Sequence, residues 1–136
     1  GAGSPPPPPA GHVVESRSKG GSIMNLTLEG TSTFQGGATC GDFYCVLITE
    51  GSLTIENCEI RNAGLSCVKV VGDGGDSFPV LRGNSIHHAN QCGILVTNEA
   101  KGLIEDNEIF ENRFSGIEIR NRSCPKVRRN NIHNNR

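Results

Sequence analysis

Residues Gly102–Asn121 read "GLIEDNEIFENRFSGIEIRN", and Pro79–Asn98 read "PVLRGNSIHHANQCGILVTN" with the same landmarks at the same spacing. Anchored on Ile60, Ile86, Ile109 and Ile132, the units are separated by 26, 23 and 23 residues. Five positions before each anchor stand Ile55, Leu81, Ile104 and Val127. Eight after the first three stand Val68, Ile94 and Ile117, then Val70, Val96 and Ile119 two further on. The extra residues of the longer unit fall in Gly72–Ser77, "GDGGDS", where an insertion costs least. A degenerate earlier copy aligns Ile23 and Leu28 with Val46–Ile48, given a longer loop through "TSTFQGGATCGDFY".

Apolar residues alternate inside each unit, which is the period of a strand, and no window carries a helical stripe. Strands repeating about every 23 residues between Gly and Asn turns predict an all-β fold, a right-handed single-stranded parallel β-helix. About four coils and a partial one are expected over residues 23–136. Stacked coils place equivalent residues about 4.8 Å apart, so spacing is strict while outward side chains vary. The composition agrees. With 35% hydrophobic and 4% aromatic residues, no Trp and 18 Gly, the 136-residue chain suits many tight turns better than a core of large side chains.

Two asparagine columns stand out. Asn84, Asn107 and Asn130 share one, with Cys58 in that place a coil earlier, and Asn98 and Asn121 share another. Amides turned inward at successive corners can bond along the stack and satisfy turn backbone groups, so both columns are read as ladders. On that reading the sequons at Asn25 and Asn121 are structural accidents, with Asn121 too buried for a glycan. Glu56, Arg82, Glu105 and Arg128 form an outward column of alternating charge, expected to pair across strands at the surface.

Residues 1–22 read as a tail. "GAGS" has the look of a tag scar, Pro5–Pro9 favours polyproline II, and "GHVVESRSKGGS" is polar and aperiodic, so the whole is taken as a flexible linker. The net charge of −1 offers no field for nucleic acid, and no span or signal peptide is recognised. Neither nucleic acid nor membrane is an expected partner, and the protein is expected to be intracellular, in cytoplasm or nucleus.

The stretch Gly102–Arg136 resembles the β-helix repeats shared by carbohydrate-active proteins, periplasmic copper-maturation factors and F-box substrate receptors. It is similar above all to F-box/β-helix receptors and Shc-binding proteins, through Gly102, Ile104, Glu105, Asn107, Ile109, Asn112, Gly116, Ile117 and Ile119. The resemblance covers residues 52–136 well and 23–51 weakly. It implies a substrate-binding or scaffold module, with any ubiquitin-ligase or adaptor role belonging to a longer parent chain. The matching residues are core and corner positions, specific for fold and nearly silent about function.

Polysaccharide-cleaving β-helices need clustered carboxylates on an outer face. The column Leu47, Lys69, Leu95 and Glu118, with its neighbour Thr49, Val71, Thr97 and Arg120, holds one. No catalytic residue, metal site or cofactor is therefore expected, and Asp73 and Asp76 are taken as a solvated loop. Asp42 and Asp106 fall in different columns. His87, His88 and His133 follow the columnar isoleucines, where Arg61 and Phe110 stand in other coils. His87 and His133 lie too far apart to share a metal, and His87 and His88 should point to opposite sides of a strand. Lys69, Leu95, Glu118, Arg120, His87 and Phe110 are the candidate contacts for a protein partner. The alternative is a carbohydrate-binding or polysaccharide-cleaving surface. Cys45 and Cys67 share a column close enough for a disulfide, but the six cysteines form no paired framework and are read as reduced. Solenoid ends need caps, so the open C-terminal end is expected to belong to a fragment that stacks on another copy through a two-fold axis.

Overall fold

The computed structural model describes residues 3, 11–31, 43–74 and 77–136. They form five rungs of three short strands each. The first rung is β1 (Val14–Ser16), β2 (Ser22–Met24) and β3 (Thr27–Gly30), and the second is β4 (Val46–Ile48), β5 (Thr54–Glu56) and β6 (Glu59–Asn62). The third is β7 (Val68–Val71), β8 (Val80–Arg82) and β9 (Ser85–His87), and the fourth β10 (Ile94–Thr97), β11 (Leu103–Glu105) and β12 (Glu108–Phe110). The last is β13 (Ile117–Ile119), β14 (Lys126–Arg128) and β15 (Asn131–His133). Equivalent strands pair in parallel into three five-stranded sheets: β1-β4-β7-β10-β13, β2-β5-β8-β11-β14 and β3-β6-β9-β12-β15. The protein is a parallel β-helix, five rungs rather than four and a part.

Register follows the apolar columns. Ile23, Ile55, Leu81, Ile104 and Val127 are successive partners in the second sheet, as are Leu28, Ile60, Ile86, Ile109 and Ile132 in the third. Val68 pairs with Ile94 and Val70 with Val96, while Val71 pairs with Thr97 and Val80 with Leu103. The chain takes three more residues between the latter two pairs in the third rung than in the fourth, which places the insertion in the Gly-rich turn. Ile48, Ile55, Ile60, Ile86, Ile94 and Ile109 fill the interior and are fully buried. Burying each stabilises by about 1.5–3 kcal/mol relative to exposure.

The linker assignment ends too late. Val14–Ser16 pairs with Val46–Ile48, and Val14 packs against the core. A three-residue strand with one inward valine carries no periodicity that polar neighbours do not mask. The Pro5–Pro9 run, Cys40, Asp42 and Asp76 lie outside the described residues.

Corners decide where side chains point. Asn57, Gly83, Asp106 and Arg129 occupy one corner with φ between 53° and 69°, and each precedes an inward residue: Cys58, Asn84, Asn107 and Asn130. At this corner the left-handed residue, whatever its own type, bends the chain so that its successor faces in. Gly83 takes that conformation without strain, and a Cβ there would lie 2.6 Å from Asn57 Oδ1. The ladder that follows is continuous. The N–H and Nδ2–H of Asn84 donate to Asn107 Oδ1 at 2.9 and 3.1 Å, and those of Asn107 to Asn130 Oδ1 at 3.0 and 2.9 Å. Each Nδ2 also donates to the carbonyl of an inward residue one rung up: Ile55, Leu81 and Ile104. Cys58 closes the top, its N–H on Asn84 Oδ1 and its thiol toward Ile23 O.

A second inward ladder runs down another corner, through Ala89, Asn112 and Asn135, each behind a left-handed residue (His88, Glu111, Asn134). At the third corner Asn98 and Asn121 are themselves left-handed, with φ of 58° and 53°, and are exposed. This corrects the inward reading of that column. Asn98 bonds outward to Asp73 at 3.0 Å and Asn121 to Asn98 at 3.1 Å, while Ala100 and Ser123 take the inward-side bond. Asn121 is therefore not too buried for a glycan. At the C-terminal end Ile119, Val127 and Ile132 are exposed and Ile117 is half-buried.

Candidate functional site

The third sheet presents the densest chemistry. Its outward columns are Glu29, Arg61, His87, Phe110 and His133, and Thr27, Glu59, Ser85, Glu108 and Asn131. Register stacks the rings of the first column. His87 lies on Phe110 with centroids 4.8 Å apart and planes at 15°, and Phe110 lies on His133 at 5.3 Å and 4°. Both faces of Phe110 are thereby covered. Carboxylates of the neighbouring column tie the stack down: Glu59 Oε1 is 3.0 Å from His87 Nε2, and Glu108 Oε1 is 3.0 Å from His133 Nε2. Arg61 bridges Glu29 at 3.2 Å and Glu59 at 3.8 Å.

His88 follows the strand in a left-handed conformation, φ 54°, so it turns back instead of diverging from His87. Their Nδ1 atoms are 2.6 Å apart, which corrects the expectation of opposite sides. His88 Nε2 in turn sits 2.9 Å from Glu111 Oε2. The result is a continuous chain, Glu59–His87–His88–Glu111, from the sheet face around to the corner. That corner is an open groove of about 790 Å³, lined by His88, Asn90, Glu111, Arg113, Asn134 and Arg136 among others. A further stretch of about 270 Å³, lined by Glu29 and Arg61, shares Asn62, Ala63 and His88 with it. The inward Asn112 lines the larger stretch, and packing behind it is close: a Cβ on Gly93 would meet Gly116 O at 2.8 Å, and Asn112 Nδ2 and Ile109 Cγ2 at 2.9 Å.

The contacts read from the sequence do not form one site. Lys69, Leu95 and Glu118 belong to the first sheet, with Arg120 just after its last strand, and His87 and Phe110 belong to the third. Leu95 is only 6% exposed, packed in a small outer cluster with Tyr44 and Cys92, and Lys69 Nζ caps the Tyr44 ring at 4.8 Å. Glu118 and Arg120 pair with each other at 2.6 Å. His87 is buried in the stack, and only its neighbour His88 of the two lines the groove. The residues missed were His88, Glu111 and the ladder pair Asn112 and Asn135, whose 23-residue spacing was available.

The carboxylate survey also needs correcting, because Glu29, Glu59 and Glu108 do lie on an outer face. Each is engaged by an arginine or a histidine: Glu29 by Arg61, Glu59 by His87 and Glu108 by His133. On the second sheet the alternating column is not a row of exposed pairs. The Glu105 side chain is 4% exposed, clamped by Arg128 Nε at 2.7 Å, Arg82 Nε at 2.8 Å and Arg129 at 3.0 Å. Hydrogen bonds from Arg128 and Arg82 hold its carboxyl below the ordinary carboxylate value, and Arg129 does the same for Asp106. Glu56 acts on Arg82 only at longer range, with no ion pair within 4 Å between them among the described residues.

Among the described residues no three His, Cys, Asp or Glu side chains converge as metal ligands. Cys45, Cys58, Cys67 and Cys92 are buried and unbridged, and Cys124 is exposed. Burial pushes the Cys45 thiol up to about 12 and raises those of Cys67 and Cys92, which makes them poor nucleophiles. No described helix is long and apolar enough to cross a membrane. The protein family described as "right handed beta helix region" matches residues 14–136, which includes the first strand. No solved structure matches the chain.

Proposed function

We propose, for a chain that belongs to the right-handed β-helix family, that it is a non-catalytic recognition module reading a protein partner along the third sheet and its corner groove. The observation that carries this reading is the state of the aromatic rings. Sugar platforms need open ring faces side by side, whereas Phe110 has both faces covered and Tyr44 is buried beneath Lys69. The two exposed Phe rings among the described residues stand singly, Phe114 with Arg113 5.9 Å over it and Phe78 in the turn before β8. What the surface offers is polar edges at fixed register: Asn90, Arg113, Glu111 and Asn134 along the groove. Such a row suits an extended polypeptide with alternating donors, acceptors and charges. Resemblance to F-box/β-helix receptors and Shc-binding proteins supports a finer version, in which the module is the substrate-binding part of a ligase-like or adaptor protein.

Peptide display on the immobilised protein, run beside a glycan array, tests the reading. The expected result is peptides whose binding is lost in Glu111→Lys/Arg113→Glu, a variant that keeps its cooperative melt because both side chains are exposed. Glycan binding that depends on the same two residues, with no peptide enriched, would overturn it in favour of the carbohydrate-binding alternative.

A further inference from the structure

We propose that His87 and His88 form an acid-sensitive latch that sets the shape of the corner groove, an inference that rests on the groove being the recognition surface. Three contacts join the four side chains: Glu59 to His87 Nε2 at 3.0 Å, His87 Nδ1 to His88 Nδ1 at 2.6 Å, and His88 Nε2 to Glu111 at 2.9 Å. An ionised carboxylate only accepts, so each Nε2 must carry a proton. Between two nitrogens a hydrogen bond needs one proton and one lone pair, so the Nδ1 atoms hold one proton between them. All three contacts coexist only when the pair carries three protons, one net positive charge between two carboxylates.

A fourth proton has no place. It would set two N–H groups head to head at 2.6 Å, and the contact must open. His87 is held by Glu59 of β6, which Arg61 also engages, and by the face of Phe110 of β12, beyond which His133 is bonded to Glu108. Its side chain is 11% exposed, against 59% for His88, so His88 is the ring that moves. His88 faces Glu111 of the corner after β12, and Arg113 lines the groove beyond it. It is the titratable residue among the three shared by the two stretches of groove, the one flanked by Glu29 and Arg61 and the one flanked by Asn90 and Arg113. Swinging it out joins the two stretches and places a full positive charge at the rim. Histidine as a free side chain changes charge between about pH 5 and 8, which makes the proton count of this contact a question of pH.

Coupled rings titrate as a pair, which long-range proton–nitrogen NMR on the full chain can read without any partner. As pH falls from about 8 to about 5, the expected sequence is a shared Nδ1 proton first, then a second step in which that sharing is lost. The backbone amides of Ala63 and Asn90 shift in the second step. In His88→Asn, a residue that tolerates φ 54°, those amide shifts vanish while His133 titrates as before. Glu111→Gln keeps both rings but removes one carboxylate, and it moves the steps to lower pH. Independent single-step curves, still amides at residues 63 and 90, or amide shifts that persist in His88→Asn would each overturn the latch. Recognition itself is tested by display, so the two failures are told apart.

Discussion

Asn107 and Asn121 sit in columns of the same residue at the same spacing, yet one is sealed inside the stack and the other stands in water. Asn107 is 2% exposed and exchanges hydrogen bonds with both neighbouring rungs, whereas Asn121 is exposed and bonds along the outside of the stack to Thr97 and Asn98 of the preceding rung. The difference lies one residue upstream. Asp106 takes the left-handed conformation and turns Asn107 in, while Asn121 takes it itself, followed by Arg122 at φ 57°. Placement in a solenoid corner is set by which residue carries the positive φ. Asparagine serves both places because its amide matches backbone chemistry and its side chain tolerates the left-handed region.

The largest expected effect breaks the inward column. In Asn107→Asp the carboxylate keeps the acceptor for Asn84 but loses both donors, leaving it against Leu81 O and Asn130 Oδ1. Burying that charge should cost about 3–5 kcal/mol at neutral pH. The cost should shrink in acid, where a protonated Asp donates once. Urea titration checks both parts, and a loss below about 1 kcal/mol, well under what an unpaired buried charge costs, would mean the ladder contributes little.

Next comes a contrast along the apolar columns. Ile104 is covered by Leu81 above and Val127 below, so Ile104→Ala should cost about 2–5 kcal/mol. Ile117 pairs only upward, with Ile94, and is half-buried. Ile117→Ala should cost about 1–2 kcal/mol because part of that surface already faces water. Equal losses in the two variants would show that something covers the lower face of Ile117 in solution.

Most of the frame was legible, because a strand column that points inward must stay apolar in every rung, as the corner columns with their amide ladders need not. Ile60, Ile86, Ile109 and Ile132 needed only alignment to reveal the register. The first strand was not legible, since Val14 is one inward residue among polar neighbours. Corner direction was hidden for another reason. Asn57, Gly83, Asp106 and Arg129 share one backbone state but no chemistry, so the sequence marks the consequence and not the cause. The site was hidden by the same habit of reading columns one at a time. His87, Phe110 and His133 look like mismatched substitutions until their stacking is seen, and His88 looks like an outward residue until its φ is known.

The buried charge on the second sheet makes a smaller prediction with a definite sign. The carboxyl of Glu105 is lowered by Arg128 and Arg82, so its contribution is present above the unfolded carboxylate value of about 4.3 and lost as pH falls through the lower folded value. The melting temperature of the parent should therefore drop more steeply below about pH 4 than that of Glu105→Gln, which has no proton to take up there. Parallel acid limbs in the two proteins would assign the clamp no role in acid stability.

The smallest expected effect returns to the outward corner. Asn121→Gly deletes two exposed hydrogen bonds, to Thr97 Oγ1 at 2.8 Å and Asn98 Oδ1 at 3.1 Å. Water can replace the bond to the exposed Asn98, and Thr97 Oγ1 keeps its own bond to Asn98 Oδ1 at 3.2 Å. Glycine also enters φ 53° more easily than any other residue, which offsets part of the loss, although its unfolded chain is freer. These terms nearly cancel, and the change should stay within about 0.5 kcal/mol. The same substitution at Asn107 would remove the acceptor for Asn84 and strand the Leu81 carbonyl inside the stack. Thermal melts of Asn121→Gly and Asn107→Gly side by side therefore isolate direction from residue type. If the outward variant fell as far as the inward one, burial would not be what separates the two columns, and the left-handed residue upstream would lose its place as the determinant.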